Sequence, residues 1–317
     1  MPIGITDEHE ALRQSARRFL ESRCPPSVPR ALLDADEADP SELPPFWDEL
    51  VELGWTTLAT DGGFGALAVV VEELGRACAP GPFVTTALAA ALLGGLDEPA
   101  EPWTVALDVR PGAPLLSGAV ARKALVALGG DRWAIADLTG ATRHAVPSVD
   151  ATRPMARVDI DPARATPVDG LTTRRVRDVA AVLFAAEAAG IAGWCLETAS
   201  SYAKVREQFG RPIGQFQAVK HRCADMLIAV ERAVGTAWDA ANAADSDEAG
   251  SQLPLAAAIA ATTATEAATT CAKDCVQLLG GIGFTWEHDA HVYLKRALAL
   301  RQLLTPDHRT AARLALA

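Results

Sequence analysis

The residue types best suited to chemistry lie in two stretches, residues 202–220 (YAKVREQFGRPIGQFQAVK) and residues 277–284 (QLLGGIGF). In the first stretch, the planar fork of Arg206 can bond two phosphate oxygens at once. In the second, Gly280 and Gly281 allow the backbone to approach a phosphate closely. A glycine pair at a helix end is by itself most often a C-cap. The second stretch therefore gains its meaning from its place downstream of the first.

Other reactive residue types show weaker patterns. Cys271 and Cys275 lie four apart on one predicted helix face, which would supply half of a metal site. No second His or Cys pair completes it, so buried thiols in a reducing compartment are favoured. His221, His288 and His291 have no ligand spacing with acidic partners and are interpreted as surface or hydrogen-bonded core residues. The sequence predicts no metal site.

Charge and hydropathy narrow the function classes. The net charge is −11, so nucleic acid and anionic membrane surfaces are not expected partners. No signal peptide and no run of about 18 apolar residues is apparent, which predicts a cytoplasmic protein without membrane spans. A local basic cluster, Arg174, Arg175 and Arg177, either binds coenzyme A phosphates or is a solvated helix end.

Composition divides the chain into three regions: residues 1–97, helical; residues 98–168, a small β domain; and residues 169–317, helical again. In the first region, Thr6 is the predicted cap of a helix that ends before two prolines, and Ser41 opens a second helix. In the β region, the predicted strands are residues 103–109, 124–128, 133–138 and 157–160.

The third region is predicted to be four antiparallel helices. A long helix runs from about Arg174 to Glu207, and the next one carries an apolar stripe with spacings of three and four. A further helix ends at Gly280, and the last starts near Glu287. Helices of this length joined by short loops form a four-helix bundle. The predicted fold class is α+β and mostly α.

The two chemical stretches and this order of elements resemble the acyl-CoA dehydrogenase family. In that family, a segment like REQFG (residues 206–210) reaches across a dimer interface to the diphosphate or adenosine part of FAD, and QxxGGxGF is a second ADP-binding element. The resemblance therefore implies a set of FAD-binding residues in this chain: Arg206, Gln208, Phe209, Gln217, Gln277, Gly280 and Gly281.

The parts of the family's site that hold the flavin ring are not found. Relatives carry a TEPxAGSD-like loop and a WITN-like strand in the β domain, and the sequence of this region shows neither. The segment that starts at Trp133 has a faint likeness to the second motif, but a tryptophan in a strand is more often part of the core.

The family's catalytic glutamate is also absent from both positions where relatives keep it. That glutamate removes an α-proton while hydride leaves the β-carbon for the flavin. The corresponding residues here are Thr305 and Ala180, and neither can act as a carboxylate base. Asp307 and Glu187 are weak candidates. An aspartate after a proline is more often a cap or turn residue, and Glu187 is either a structural carboxylate or part of a pocket.

These features favour the short subunit of a heteromeric acyl-CoA dehydrogenase, similar to those of actinobacterial steroid breakdown. The resemblance implies an α2β2 complex with a longer subunit that carries the glutamate, an acyl-CoA substrate, and electron-transfer flavoprotein as acceptor. Two alternatives remain. One is a homomeric dehydrogenase that uses Asp307 or Glu187, and the other is a structural subunit that binds no cofactor.

Overall fold

The computed structural model describes residues 5–33, 42–246 and 252–304. As predicted, Thr6 caps the first helix, because its hydroxyl accepts a hydrogen bond from the His9 N–H at 3.3 Å. Ser41, the predicted start of a second helix, lies outside the described residues. The helices of the first region are α1 (Asp7–Arg23), α2 (Ser27–Ala31), α3 (Trp47–Glu52), α4 (Leu58–Asp61), α5 (Gly63–Arg76) and α6 (Phe83–Leu93).

The middle region forms two small sheets among the described residues. Its strands are β1 (Trp103–Val105), β2 (Lys123–Ala127), β3 (Trp133–Asp137), β4 (Arg143–Val146), β5 (Met155–Val158) and β6 (Thr166–Val168). One sheet has the order β1-β2-β3-β6, with β1 parallel to β2 and the other pairs antiparallel, and β4 pairs with β5. The prediction missed β4 and β6. β4 is largely exposed, and β6 is an edge strand that contains Pro167, so neither shows the usual apolar pattern.

The third region is a helical bundle. Its elements are α7 (Thr173–Val205), the short strands β7 (Glu207–Gln208) and β8 (Arg211–Pro212), α8 (Gln217–Ser246), α9 (Leu253–Leu279) and α10 (Ala290–Leu304). The predicted start of the last helix near Glu287 was three residues early. His288 accepts a hydrogen bond from the Ala290 N–H at 3.1 Å and so caps α10 from outside the helix. The mostly helical fold class with a small β component is confirmed.

The long helix α7 is the centre of the molecule. Its most apolar window is hydrophobic enough to span a membrane, but 83% of that window is buried inside the fold, as expected for a core helix. It crosses α5 at two glycines. A Cβ atom on Gly75 or Gly190 would lie well under 3.0 Å from a backbone oxygen of the other helix. These glycines let the two backbones touch, and this contact fixes where the side chains of α7 meet the first region.

Candidate functional site

Arg206 lies directly after the end of α7, where a tight hairpin begins. Its N–H donates to the Tyr202 carbonyl at 2.9 Å, and its own carbonyl accepts from the Ile213 N–H at 2.8 Å. The hairpin turns at Phe209 and Gly210, which have φ of 54° and 76°. Two positive φ values match a type I′ turn, the kind that joins two-residue hairpins. The chain geometry therefore holds the backbone of Arg206 at a fixed corner of the bundle.

The side chain of Arg206 is exposed and available to a ligand. No carboxylate of the described residues lies within 4.0 Å of its guanidinium, whereas Arg222, on the next helix, pairs with Asp274 at 2.6 Å. Gln208 and Gln217 are also exposed. An arginine with an unpaired fork is suited to bind a phosphate in bidentate fashion.

The second candidate element is the end of α9. Gly280, with φ of 66°, ends the helix, and its N–H donates to the Gln277 carbonyl. The Gly280 N–H is thus used within the turn. Gly281 is different: it is exposed, and a Cβ atom built on it would meet nothing within 4 Å. Its backbone is open to close approach from outside.

The fold brings the two elements to the same end of the bundle. Helices α8 and α9 run antiparallel, with Arg222 of α8 paired to Asp274 of α9. Gln217 lies five residues before Arg222, and Gln277 lies three after Asp274. At 1.5 Å per residue, these are about 7.5 Å and about 4.5 Å along the two axes, in the same direction. The hairpin joins this end through Phe209, whose ring is 6.1 Å from that of Phe216.

Exposed aromatic side chains lie close in sequence to these polar groups. Phe209 is 92% exposed, Phe284 76% and Trp286 71%. Phe209 keeps its positive φ without a glycine, which is uncommon for a bulky residue. Phe284 ends the QxxGGxGF stretch but was not among the predicted FAD-binding residues, and Trp286 was not singled out. The available signal was two aromatics directly after a glycine-rich turn. Large exposed apolar groups beside unpaired polar ones mark a surface that another molecule covers.

The carboxylate candidate Glu187 is in a different environment. It is 1% exposed, and it accepts hydrogen bonds from Arg153 at 2.9 Å and from Arg296 at 2.7 Å. Asp150 is equally buried and pairs with the same two arginines. Two carboxylates and two guanidinium groups thus balance in charge. This group of four residues is called the buried ion-pair cluster below.

The buried ion-pair cluster stabilises ionised carboxylates. Burial alone would raise the pKa of Asp150, but Arg296 and Arg153 outweigh it, so the pKa lies below its usual range. Arg296 also donates to the Ala79 carbonyl at 3.2 Å and contacts Thr152. The cluster joins α7 and α10 to the loop between β4 and β5. A carboxylate held by two arginines is poorly suited to accept a substrate proton.

The remaining candidates have the following places. Ala180 is 1% exposed and part of the core, while Thr305 and Asp307 lie outside the described residues. Trp133 is 1% exposed on β3, which confirms it as core. In the β domain, the loop after β1 lines a cavity of about 560 Å³.

The cysteine, histidine and arginine candidates are placed as follows. Cys271 and Cys275 are buried, and burial raises the pKa of Cys271 to about 12. Within the described part of the chain, no group of three or more His, Cys, Asp or Glu residues could hold a metal ion. Arg174 is exposed in the first turn of α7 and pairs with Asp178 at 3.7 Å. His288 and His291 have lowered pKa values because burial disfavours their charged forms.

The fold is that of an acyl-CoA dehydrogenase, and the comparisons with known proteins agree. The chain belongs to the acyl-CoA dehydrogenase family. The family model "Acyl-CoA dehydrogenase, N-terminal domain" matches residues 6–98, and "Acyl-CoA dehydrogenase, C-terminal domain" matches residues 175–303. The family is FAD-dependent, and by homology the chain is an oxidoreductase.

Two curated relatives from Mycobacterium tuberculosis show different lengths. Acyl-CoA dehydrogenase IpdE2 is 35% identical over 326 residues, covering 97% of this chain and 96% of the relative. Acyl-CoA dehydrogenase FadE34 is 40% identical over 330 residues, covering 94% of this chain. The match spans only 46% of FadE34, so that relative contains more than twice the matched length.

Two solved heteromeric complexes share the fold. The structure titled "Tcur3481-Tcur3483 steroid ACAD G363A variant" has a chain with a TM-score of 0.83 and 25% identity, with 98% of each chain covered. A chain of the ChsE4-ChsE5 complex from Mycobacterium tuberculosis has a TM-score of 0.84 and 23% identity, and the match covers 99% of this chain and 98% of the other.

Proposed function

We propose that this chain is the short subunit of a heteromeric acyl-CoA dehydrogenase. It supplies the ADP-binding half of an FAD site to a longer subunit, which carries the flavin-ring loops and the catalytic glutamate. The observation that carries this proposal is the contrast between Arg206 and Glu187. Arg206 is exposed, and no carboxylate of the described residues pairs with its guanidinium, whereas Glu187 is buried and held by two arginines.

The residues present fit the ADP end of FAD. The fork of Arg206 would bind a diphosphate oxygen pair, and the open backbone at Gly281 would let a phosphate approach. Gln217 and Gln277 would donate side-chain hydrogen bonds from the same end of the bundle, and Phe209 would cover the adenosine part. When bound, FAD supplies the hydride acceptor for the α,β-dehydrogenation of an acyl-CoA thioester.

The relatives support a partner and a substrate class. Two structural neighbours are heteromeric complexes, and one is titled a steroid enzyme. FadE34 contains a segment like this chain within a polypeptide more than twice as long, which is what fusion of a short and a long subunit would produce. We therefore propose an α2β2 complex in the cytoplasm, a steroid-derived acyl-CoA substrate and electron-transfer flavoprotein as acceptor.

The proposal is tested by flavin retention with and without a partner. The chain is purified alone and after co-expression with a longer acyl-CoA dehydrogenase that carries the glutamate, and FAD is measured by absorbance after dialysis. We expect a colourless chain alone and a yellow complex. A yellow homomer with stoichiometric FAD would favour a homomeric enzyme. A complex that forms but whose FAD content is unaffected by changes at Arg206 would favour a structural subunit.

A further inference from the structure

A second cavity lies away from the proposed cofactor surface. It has a volume of about 450 Å³ and lies between α1 and α2 on one side and α7 and α10 on the other. None of the proposed FAD-binding residues lines it. Its lining includes Leu20, Cys24, Cys78, Trp194, Thr198 and Tyr293.

One wall of this cavity is flat and aromatic. The rings of Trp194 on α7 and Tyr293 on α10 stack at 3.6 Å between centroids, with 4° between their planes. The Tyr293 hydroxyl donates to the Arg76 carbonyl at 2.7 Å, so its polar end is already satisfied. A stacked pair held in this way offers a rigid apolar face to a flat ligand.

The floor of the cavity is apolar and uncharged. Leu20 is 2% exposed, and Cys24 and Cys78 are buried beside it. Burial raises the pKa of each of these thiols to about 12, so both are neutral at physiological pH. These three side chains of the lining therefore carry no charge.

The charges at the rim exclude an anionic ligand. Nε and Nη2 of Arg17 donate to Glu73, at 2.9 and 2.7 Å, and Arg76 pairs with Glu197. Glu21 is a further carboxylate of the lining. Both arginines of the lining are thus occupied, and carboxylates outnumber them. Coenzyme A, which carries several phosphate charges, is disfavoured here.

Hydroxyl groups continue the aromatic face of α7. Thr198 and Ser201 lie four and seven residues after Trp194, a spacing that places all three on one helix face, and all three line the cavity. A keto or hydroxyl group on an otherwise apolar ligand would find its hydrogen-bond partner here.

We propose that this cavity binds an uncharged, flat, apolar ring system with a keto or hydroxyl group, as a steroid nucleus presents. The ring stacks against Trp194 and Tyr293 over the floor at Leu20, and its polar group meets Thr198 or Ser201. The choice of a steroid rests on the proposed function, whereas the cavity and its charge balance do not.

The test uses the full chain alone, without FAD or partner, and androst-4-ene-3,17-dione as probe. Equilibrium dialysis is expected to show saturable binding of one probe per chain. Placing a bulky side chain at either edge of the cavity, by Ser201→Trp or by Glu21→Trp, is expected to weaken binding at least about tenfold. Arg232→Trp adds the same bulk at an exposed α8 position that does not line the cavity, and should bind like the wild type.

Tryptophan fluorescence locates the probe. The fluorescence change on binding should persist in Trp286→Phe, because Trp286 is exposed and does not line the cavity, and should be largely lost in Trp194→Phe. Absence of saturable binding, equal binding by Ser201→Trp and Glu21→Trp with unchanged circular dichroism, or displacement of the probe by coenzyme A would overturn the proposal. Because no flavin is present, these outcomes leave the proposed FAD role untouched.

Discussion

Glu187 and Arg296 are 109 residues apart in sequence, yet the Arg296 guanidinium donates to the Glu187 carboxylate at 2.7 Å in the core. Arg153 approaches the same carboxylate at 2.9 Å. The three side chains come from α7, from α10 and from the loop between β4 and β5. This contact explains how a glutamate is retained on an otherwise Ala-rich buried helix.

We first predict that Glu187→Gln destabilises the fold but leaves the catalytic rate of the assembled enzyme nearly unchanged. The change leaves the two arginines with one charged partner, and breaking a buried ion pair costs about 3–5 kcal/mol. The thermal midpoint should fall clearly. Glu197→Gln, whose side chain is 60% exposed in its pair with Arg76, is the control and should cost at most about 1 kcal/mol.

For the folded Glu187→Gln complex, turnover per bound FAD should stay within about tenfold of wild type. A catalytic carboxylate contributes a factor of about 10² to 10⁴ in rate. A thousandfold loss in flavin reduction, with folding and FAD content intact, would show that this subunit carries the base.

Asp307→Asn is predicted to leave appreciable turnover as well. The motivation is the sequence: Thr305 and Ala180 occupy the two positions where relatives keep the glutamate, so the partner should supply the base. Stopped-flow flavin reduction of the complex is the measurement, and Asp307→Glu is a conservative control. If Asp307→Asn alone abolishes flavin reduction and Asp307→Glu restores it, the homomeric alternative is favoured.

Arg206→Ala is predicted to weaken FAD retention by the complex about ten- to hundredfold, because a charge-assisted hydrogen bond contributes about 1.5–3 kcal/mol. The thermal stability of the Arg206→Ala variant without FAD should equal that of the wild type, because the Arg206 side chain is exposed and pairs with no described carboxylate. Arg18→Ala, an exposed arginine on α1, is the matched control. Equal FAD occupancy of both variants after extended dialysis would remove Arg206 from the site.

Two of the three glycines in the turn after α9, Gly281 and Gly283, should respond in opposite ways. Gly281→Val places a side chain in open space, so it should leave the thermal midpoint nearly unchanged and obstruct the approach of FAD. Gly283→Ala places a Cβ atom 2.6 Å from the Val276 carbonyl oxygen, so it should destabilise the turn. Differential scanning fluorimetry and FAD content, measured on both variants, separate the two effects. A strong loss of stability in Gly281→Val would contradict the open-backbone interpretation.

Adding a single methyl group where α5 and α7 cross should lower the stability of the fold. Gly190→Ala would bring a Cβ atom well under 3.0 Å from the Glu72 carbonyl oxygen, and overpacking of this kind costs about 1–3 kcal/mol or more. Gly235→Ala on α8, where nothing lies within 4 Å, is the control and should stabilise the helix by up to about 1 kcal/mol. Chemical denaturation of both variants measures the difference. Equal stability would show that the helices can separate slightly without loss.

Local patterns were enough to predict the long helices, but not the short helices α2 and α4. Thr6 caps the start of α1, and the prolines that follow it end the helix because they lack an N–H. Both effects act between residues that are close in sequence. Arg206 and Gly281 were selected through the family resemblance, which rests on short stretches of neighbouring residues. β4 and β6 were missed because an exposed strand and a proline-containing edge strand lack the alternation that marks a half-buried strand.

What the sequence by itself determined was therefore the fold class, the family resemblance and the residues suited to bind a diphosphate. Only the tertiary structure decided that Gln217 and Gln277 share one end of the bundle, that Arg206 is unpaired among the described residues, and that Glu187 is held by Arg153 and Arg296. The physical reason is distance along the chain. Periodicity and capping report interactions within a few residues, whereas ion pairs and cavities depend on which helices meet, and packing at sites such as Gly75 and Gly190 fixes that.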